Sequence, residues 1–180
     1  NMARHKTDSL KVYKIISLMA IVVAVIALAQ PYFSKVDVVT SLLPIDELST
    51  QGYTKVDVEV SATGNVGVVV IEGNCYQITA VTELSQIESI ANGQEGRVGF
   101  RPGTHDLMKD ALDSLDVNVV MVKIVDMQNS TYMGRLILMQ DDKIVSLDSR
   151  PSDGIAVAVR FGAPVYMKND LLKSQGKYIC

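Results

Sequence analysis

Three patterns in this 180-residue sequence predict an α+β fold, a mostly antiparallel sheet with about three packed helices, preceded by one transmembrane helix. β-Branched runs of hairpin length recur between turn residues. Elsewhere, apolar residues follow helix-start signals at three- and four-residue spacing. Near the N-terminus, Ile15 to Ala29 is apolar apart from Ser17, and Tyr32 and Phe33 follow where an aromatic belt belongs.

At about 1.5 Å per residue, residues 15–33 cross a hydrocarbon core of roughly 30 Å. Arg4, Lys6, Lys11 and Lys14 precede the run against Asp8 alone, so the positive-inside rule keeps the N-terminus cytoplasmic. The expectation is a single-pass protein of the cell membrane with its main domain extracytoplasmic. Its parts are a flank (1–14), the span (15–33), a stalk (34–52) and a domain (53–180). The competing reading is a signal peptide cleaved after the small residues Ala27-Leu28-Ala29.

Within the stalk, Pro44 to Thr50 has the start of a helical turn. Lys55 to Val60 alternates charge with valine, a strand with one wet face. Thr63-Gly64-Asn65 turns into Val66–Ile71, and Gly73-Asn74 into Cys75–Val81, which completes a meander. Thr82 caps a helix that buries Leu84, Ile87 and Ile90 and stops at Asn92-Gly93. Arg101-Pro-Gly-Thr-His-Asp-Leu107 then starts a second helix, with Thr104 as the expected cap and Leu107, Met108, Ala111, Leu112 and Leu115 on one face. Val117–Met127 and Thr131–Met139 form a hairpin around Gln128-Asn129-Ser130, and Lys143–Leu147 adds a strand after Asp141-Asp142. At Asp148-Ser-Arg-Pro-Ser-Asp153, Pro151 suits the first helical turn and Asp153 its positive end. Gly162 and Pro164 end that helix, and Leu171 and Leu172 mark a short helix in the tail.

The chain carries 17 Lys and Arg against 20 Asp and Glu. With the four basic residues and one acid of the flank set aside, the remainder is acidic. Such a balance gives nucleic acid no basic footprint. Cys75 reads as a strand residue and Cys180 as a loose end, so two free thiols are expected. Asn129-Ser130-Thr131 is a glycosylation sequon, although a turn that needs Asn explains it equally.

Two Arg-Pro corners, at Arg101 and Arg150, crowd polar residues at helix starts and suggest a shared site. Together with Gly162-Ala-Pro-Val-Tyr166, they resemble the two signature blocks of the bifunctional nuclease family, over roughly Tyr53 to Gln175. That resemblance implies a compact α+β domain, oligomers, and the DNase and RNase activity credited to some plant members. Where the family has Leu-Pro-Ile-x-Ile-Gly and then Glu-Ala, this chain reads Tyr76-Gln-Ile-Thr-Ala-Val-Thr-Glu83, with the glutamate displaced.

His105, Asp106, Asp148 and Asp153 are the residue types of a metal-assisted phosphodiesterase, and Arg101 and Arg150 suit its phosphate. The expected ligands of a Mg²⁺ or Mn²⁺ ion are Asp106, Asp148 and His105. Caps and ion pairs use the same residues. In that accounting Asp153 is the purest cap and Asp106 the acid with the wider duty. The alternative to a nuclease is a non-catalytic accessory subunit that associates with itself or with other membrane protein subunits through the span.

Overall fold

β-Branched residues on alternating faces build eight strands in the computed structural model, which describes residues 46–180 together with Ser17 and Met19. The predicted span therefore lies outside the described residues, apart from those two positions. Among the described residues, no helix is long and apolar enough to cross a membrane.

The elements run β1 (Tyr53–Thr63), β2 (Val66–Gly73), β3 (Tyr76–Thr82), α1 (Leu84–Gln94), α2 (Thr104–Ser114), β4 (Asn118–Gln128), β5 (Thr131–Gln140), β6 (Lys143–Ser149), α3 (Pro151–Phe161), β7 (Val165–Lys168), α4 (Asn169–Gln175) and β8 (Lys177–Tyr178). The strands form one sheet in the order β6-β5-β4-β7-β1-β2-β3-β8. Among the described residues its only parallel pairing is β4 with β7. The described helices number four, where about three were expected, because the tail helix packs as a full element against β3, β4 and β7.

Helix α3 sits at the centre of the main core. Gly154 to Ala158 are all buried, and Ile155 and Val157 pack with Val122, Ile124, Leu136 and Leu138 of the sheet. Arg160 lies in the last turn of α3, and Gly162 closes the helix in the left-handed region at φ 63°. That conformation suits a residue without Cβ. The exit then runs straight into β7, where Val122 N–H donates to the Pro164 carbonyl at 3.0 Å.

Met121, Lys123 and Ile137 alternate onto the opposite face of the sheet. Lys123 is only 5% exposed. Its ammonium donates to the Glu47 and Ser49 carbonyls at 2.6 and 2.7 Å and lies 5.1 Å from the centre of the Tyr53 ring. The end of the stalk is thereby fixed to the sheet.

The expectation of two free thiols is wrong. Cys75 belongs to the β2–β3 turn, where Asn74 and Cys75 both have positive φ. β8 adds to the edge of β3 through Tyr76 opposite Tyr178 and Gln77 opposite Lys177, and Ile179 N–H donates to the Cys75 carbonyl at 2.9 Å. This pairing brings Cys180 to Cys75, with 5.3 Å between Cα atoms, and the two form a disulfide. The tail looked loose because a two-residue strand is too short to leave a periodic signal.

Candidate functional site

Helix starts bring the two Arg-Pro corners together. Arg150 is the extended cap residue of α3 with Pro151 at the first helical position, where its missing N–H costs nothing. At the other corner Gly103, not Thr104, is the cap, and Thr104 is already helical. Asp106 reaches back to the cap, taking the Gly103 N–H on Oδ2 at 2.8 Å. Between these starts and the end of β6 lies a cleft of about 440 Å³, whose walls include Thr104, His105, Asp148, Arg150 and Asp153.

Asp153 organises the cleft. One of its oxygens receives Arg150 Nε at 2.6 Å, and the other receives Arg150 Nη2 at 3.1 Å. His105 Nε2 lies 3.4 Å from Asp153 Oδ1. In the amide orientation that satisfies both neighbours, Gln86 donates to Asp153 at 3.0 Å and accepts from Arg150 at 3.1 Å. Burial works to raise the Asp153 carboxyl, but Arg150 and His105 together outweigh it and hold the group below its ordinary value.

Burial also lowers the affinity of His105 for a proton, against the opposing pull of Asp153. The neutral ring has one donor and one acceptor. An ionised Asp153 only accepts, so Nε2 carries the hydrogen and Nδ1 accepts from the Ser89 hydroxyl, 2.8 Å away.

Asp106 points elsewhere. Its Oδ1 receives Arg160 Nε at 2.7 Å, and the two side chains are 13% and 6% exposed. Arg160 Nη1 further donates to the carbonyls of Ser89 at 3.0 Å and Ala156 at 2.6 Å, so one guanidinium ties α1, α2 and α3 together. Gly93 makes room for it: a Cβ there would stand 2.7 Å from Arg160 Nη1. The hydrogen bond from Arg160, followed by that from Gly103, keeps the Asp106 carboxyl below its usual value.

Of the six residues expected at the site, the cleft gathers His105, Asp148, Arg150 and Asp153. Asp106 stands behind it in the Arg160 pair, and exposed Arg101 is absent from its walls. The two acids are placed differently from the expectation: Asp153 lines the cleft, shared by Arg150 and His105, and Asp106 accepts from Gly103 and Arg160 behind it. Asp148 is 66% exposed and faces Arg135 at 3.8 Å. Glu83 occupies the cap position of α1 and reaches the site only through its charge on Arg150.

The expected ligand set of Asp106, Asp148 and His105 is not assembled on one wall: Asp148 and His105 line the cleft, and Asp106 does not. Among the described residues no three His, Cys, Asp or Glu side chains stand close enough together to hold a metal ion, the cleft's His105, Asp148 and Asp153 included. Sequence reasoning missed Ser89, Gln86 and Arg160. Arg160 reads as a helix-dipole partner in the last turn of α3, and Ser89 and Gln86 sit one turn apart on α1 with nothing local to mark them.

Residues 72–179 match the model of the bifunctional nuclease domain, more than half of the chain and inclusive of both corners. The uncharacterized protein Rv1829 of Mycobacterium tuberculosis is 37% identical over 95 residues, 53% of this chain and 56% of that protein. Bifunctional nuclease 2 of Arabidopsis thaliana is 34% identical over 79 residues, and bifunctional nuclease 1 of Oryza sativa subsp. japonica is 28% identical over 79. Each of these plant alignments covers 42% of this chain and 24% of the plant protein. The chain thus spans about half the length of the mycobacterial relative and a quarter of the plant ones. With both corners inside the matched region and folded around one cleft, the chain belongs to the bifunctional nuclease domain family.

Proposed function

We propose that this chain is a membrane-anchored phosphodiesterase of nuclease type, whose cleft between the starts of α2 and α3 takes a nucleic-acid phosphate. The observation that carries the reading is the meeting of His105, Asp153 and Arg150 on that cleft. Arg150 is 64% exposed yet held in direction by Asp153, a suitable posture for a phosphate oxygen. In this reading a water attacks phosphorus as the P–O bond to the departing oxygen breaks; the phosphate charge favours protonation of His105 at Nδ1, and the imidazolium turns its Nε2 hydrogen from Asp153 to that oxygen, leaving a neutral ring whose Nδ1–H faces the Ser89 hydroxyl. The Cys75–Cys180 disulfide supports an extracytoplasmic placement of the domain, since such bonds persist in oxidising compartments.

The test is cleavage of single-stranded RNA and DNA by the purified full chain, with Mg²⁺, with Mn²⁺ and with EDTA. These three conditions also decide whether a divalent ion is needed. His105→Ala is expected to lower kcat by about 10² or more, and Arg150→Ala to raise KM. Cleavage unaltered in both His105→Ala and Asp153→Asn would reject the site.

A second reading is favoured by the α1–α2 loop, where Val98 and Phe100 are 63% and 102% exposed. It is a non-catalytic module that associates with itself or with other membrane subunits. Cross-linking from position 100 in native membranes tests it, and a chain that remains a monomer there rules it out.

A further inference from the structure

A second groove, of about 310 Å³, lies on the other side of Arg150. Arg150 is the one charged residue in its walls, and it also lines the cleft that holds His105 and Asp153. The floor is aliphatic, with Ile71, Ile124 and Ile155. Tyr132 adds an aromatic wall, and burial keeps its phenol protonated. Thr82, Ser130, Thr131 and Ser152 contribute hydroxyl-bearing side chains to the lining.

Each feature narrows the ligand. Flat apolar faces fit against an aromatic ring and an aliphatic floor, and hydroxyls fit neutral groups that both donate and accept. The hydroxyls leave an acyl chain unrewarded, and the absence of carboxylates from the walls leaves a cationic group without a partner. The volume falls at the lower end of the roughly 300–1,000 Å³ typical of small-molecule sites. Continuity through Arg150 adds that the occupant carries an anionic group at one end.

From this juxtaposition we infer that the groove is a nucleoside subsite, in which a base packs on Tyr132 while the attached phosphate is shared with Arg150 at the mouth of the cleft. The inference rests on the phosphodiesterase reading and adds to it the part of the substrate that is not the phosphate. The subsite takes an unstacked base, and Thr82 and Ser130 meet its edge.

The experiment is calorimetric titration of the full chain in detergent with adenosine 5′-monophosphate, ribose 5-phosphate and inorganic phosphate. Adenosine 5′-monophosphate is expected to bind about tenfold tighter than ribose 5-phosphate, as one base–aromatic contact provides. Tyr132→Ala should erase that gain and leave ribose 5-phosphate binding unchanged, and Tyr132→Phe should retain it. Thr82→Val, which keeps the shape and removes a hydroxyl, should reduce it about threefold, in line with one lost hydrogen bond. Equal binding of the two sugar phosphates, or a gain that survives Tyr132→Ala, overturns the subsite and leaves the phosphodiesterase reading standing. If none of the three probes binds, and Arg150→Ala changes nothing, the phosphodiesterase reading falls and the subsite with it.

Discussion

Replacing Asp106 with alanine separates a structural from a chemical role for the acid that the sequence favoured most. The substitution strands Arg160, 6% exposed, without its carboxylate. Removing one partner of a buried ion pair costs about 3–5 kcal/mol, and here it also strips the acceptor from Gly103 N–H. For a protein of this length about 1 kcal/mol moves Tm by roughly 2–4 °C, so a loss of about 6–20 °C is expected from thermal unfolding followed by circular dichroism. Arg160→Met in the Asp106→Ala background removes the stranded charge and should restore part of that loss. The Asp106 carboxyl is held low in the fold, so its contribution is complete above the unfolded value of about 3.9 and disappears as pH falls through the lower folded value. The penalty of Asp106→Ala should therefore shrink in strong acid. A Tm within about 2 °C of the parent, combined with abolished cleavage, would refute the structural role and return Asp106 to the chemistry.

Other outcomes follow from the same coordinates. The ring of His105 should titrate below 6.5 in NMR spectra, because burial opposes the charged form, and lower still in Asp153→Asn, which removes the opposing carboxylate. With the folded affinity lowered, the unfolded chain takes up the proton first, so this residue's contribution to stability falls as pH drops below about 6.5 and levels off beneath the folded value. Reduction of the Cys75–Cys180 bond, or Cys180→Ser, should cost about 4.7 kcal/mol in denaturant unfolding, since the bond joins residues 105 positions apart. Lys123→Ala should expose the segment around Glu47 and Ser49 to protease, because two carbonyls lose their donor. Gly162→Ala should destabilise by about 1 kcal/mol through the left-handed φ alone, measured by urea titration.

Local chemistry made much of this molecule readable. Pro151 at the first turn of α3, the stop at Gly162 and the alternation of Lys55 to Val60 each carry their signal within a few residues. The corners were visible for the same reason. What escaped depends on partners far along the chain. The link between Arg160 and Asp106 spans 54 positions, the contact of Ser89 with His105 joins two helices, and the disulfide depends on a two-residue strand. Asp106 and Asp153 are each an acid in a first turn, and the reading of Asp153 as the purer cap and Asp106 as the acid of wider duty lacked the helix packing that decides which one faces the cleft.

The four-residue β7 joins two meanders that otherwise share no ladder: β4 to β6 on one side, β1 to β3 with β8 on the other. Because β7 follows both meanders in chain order, the two halves cannot be stitched edge to edge until synthesis has passed Lys168. Until then each half exposes an unpaired margin, and a chain cut short after Phe161 would hold two sticky ribbons in place of a closed surface.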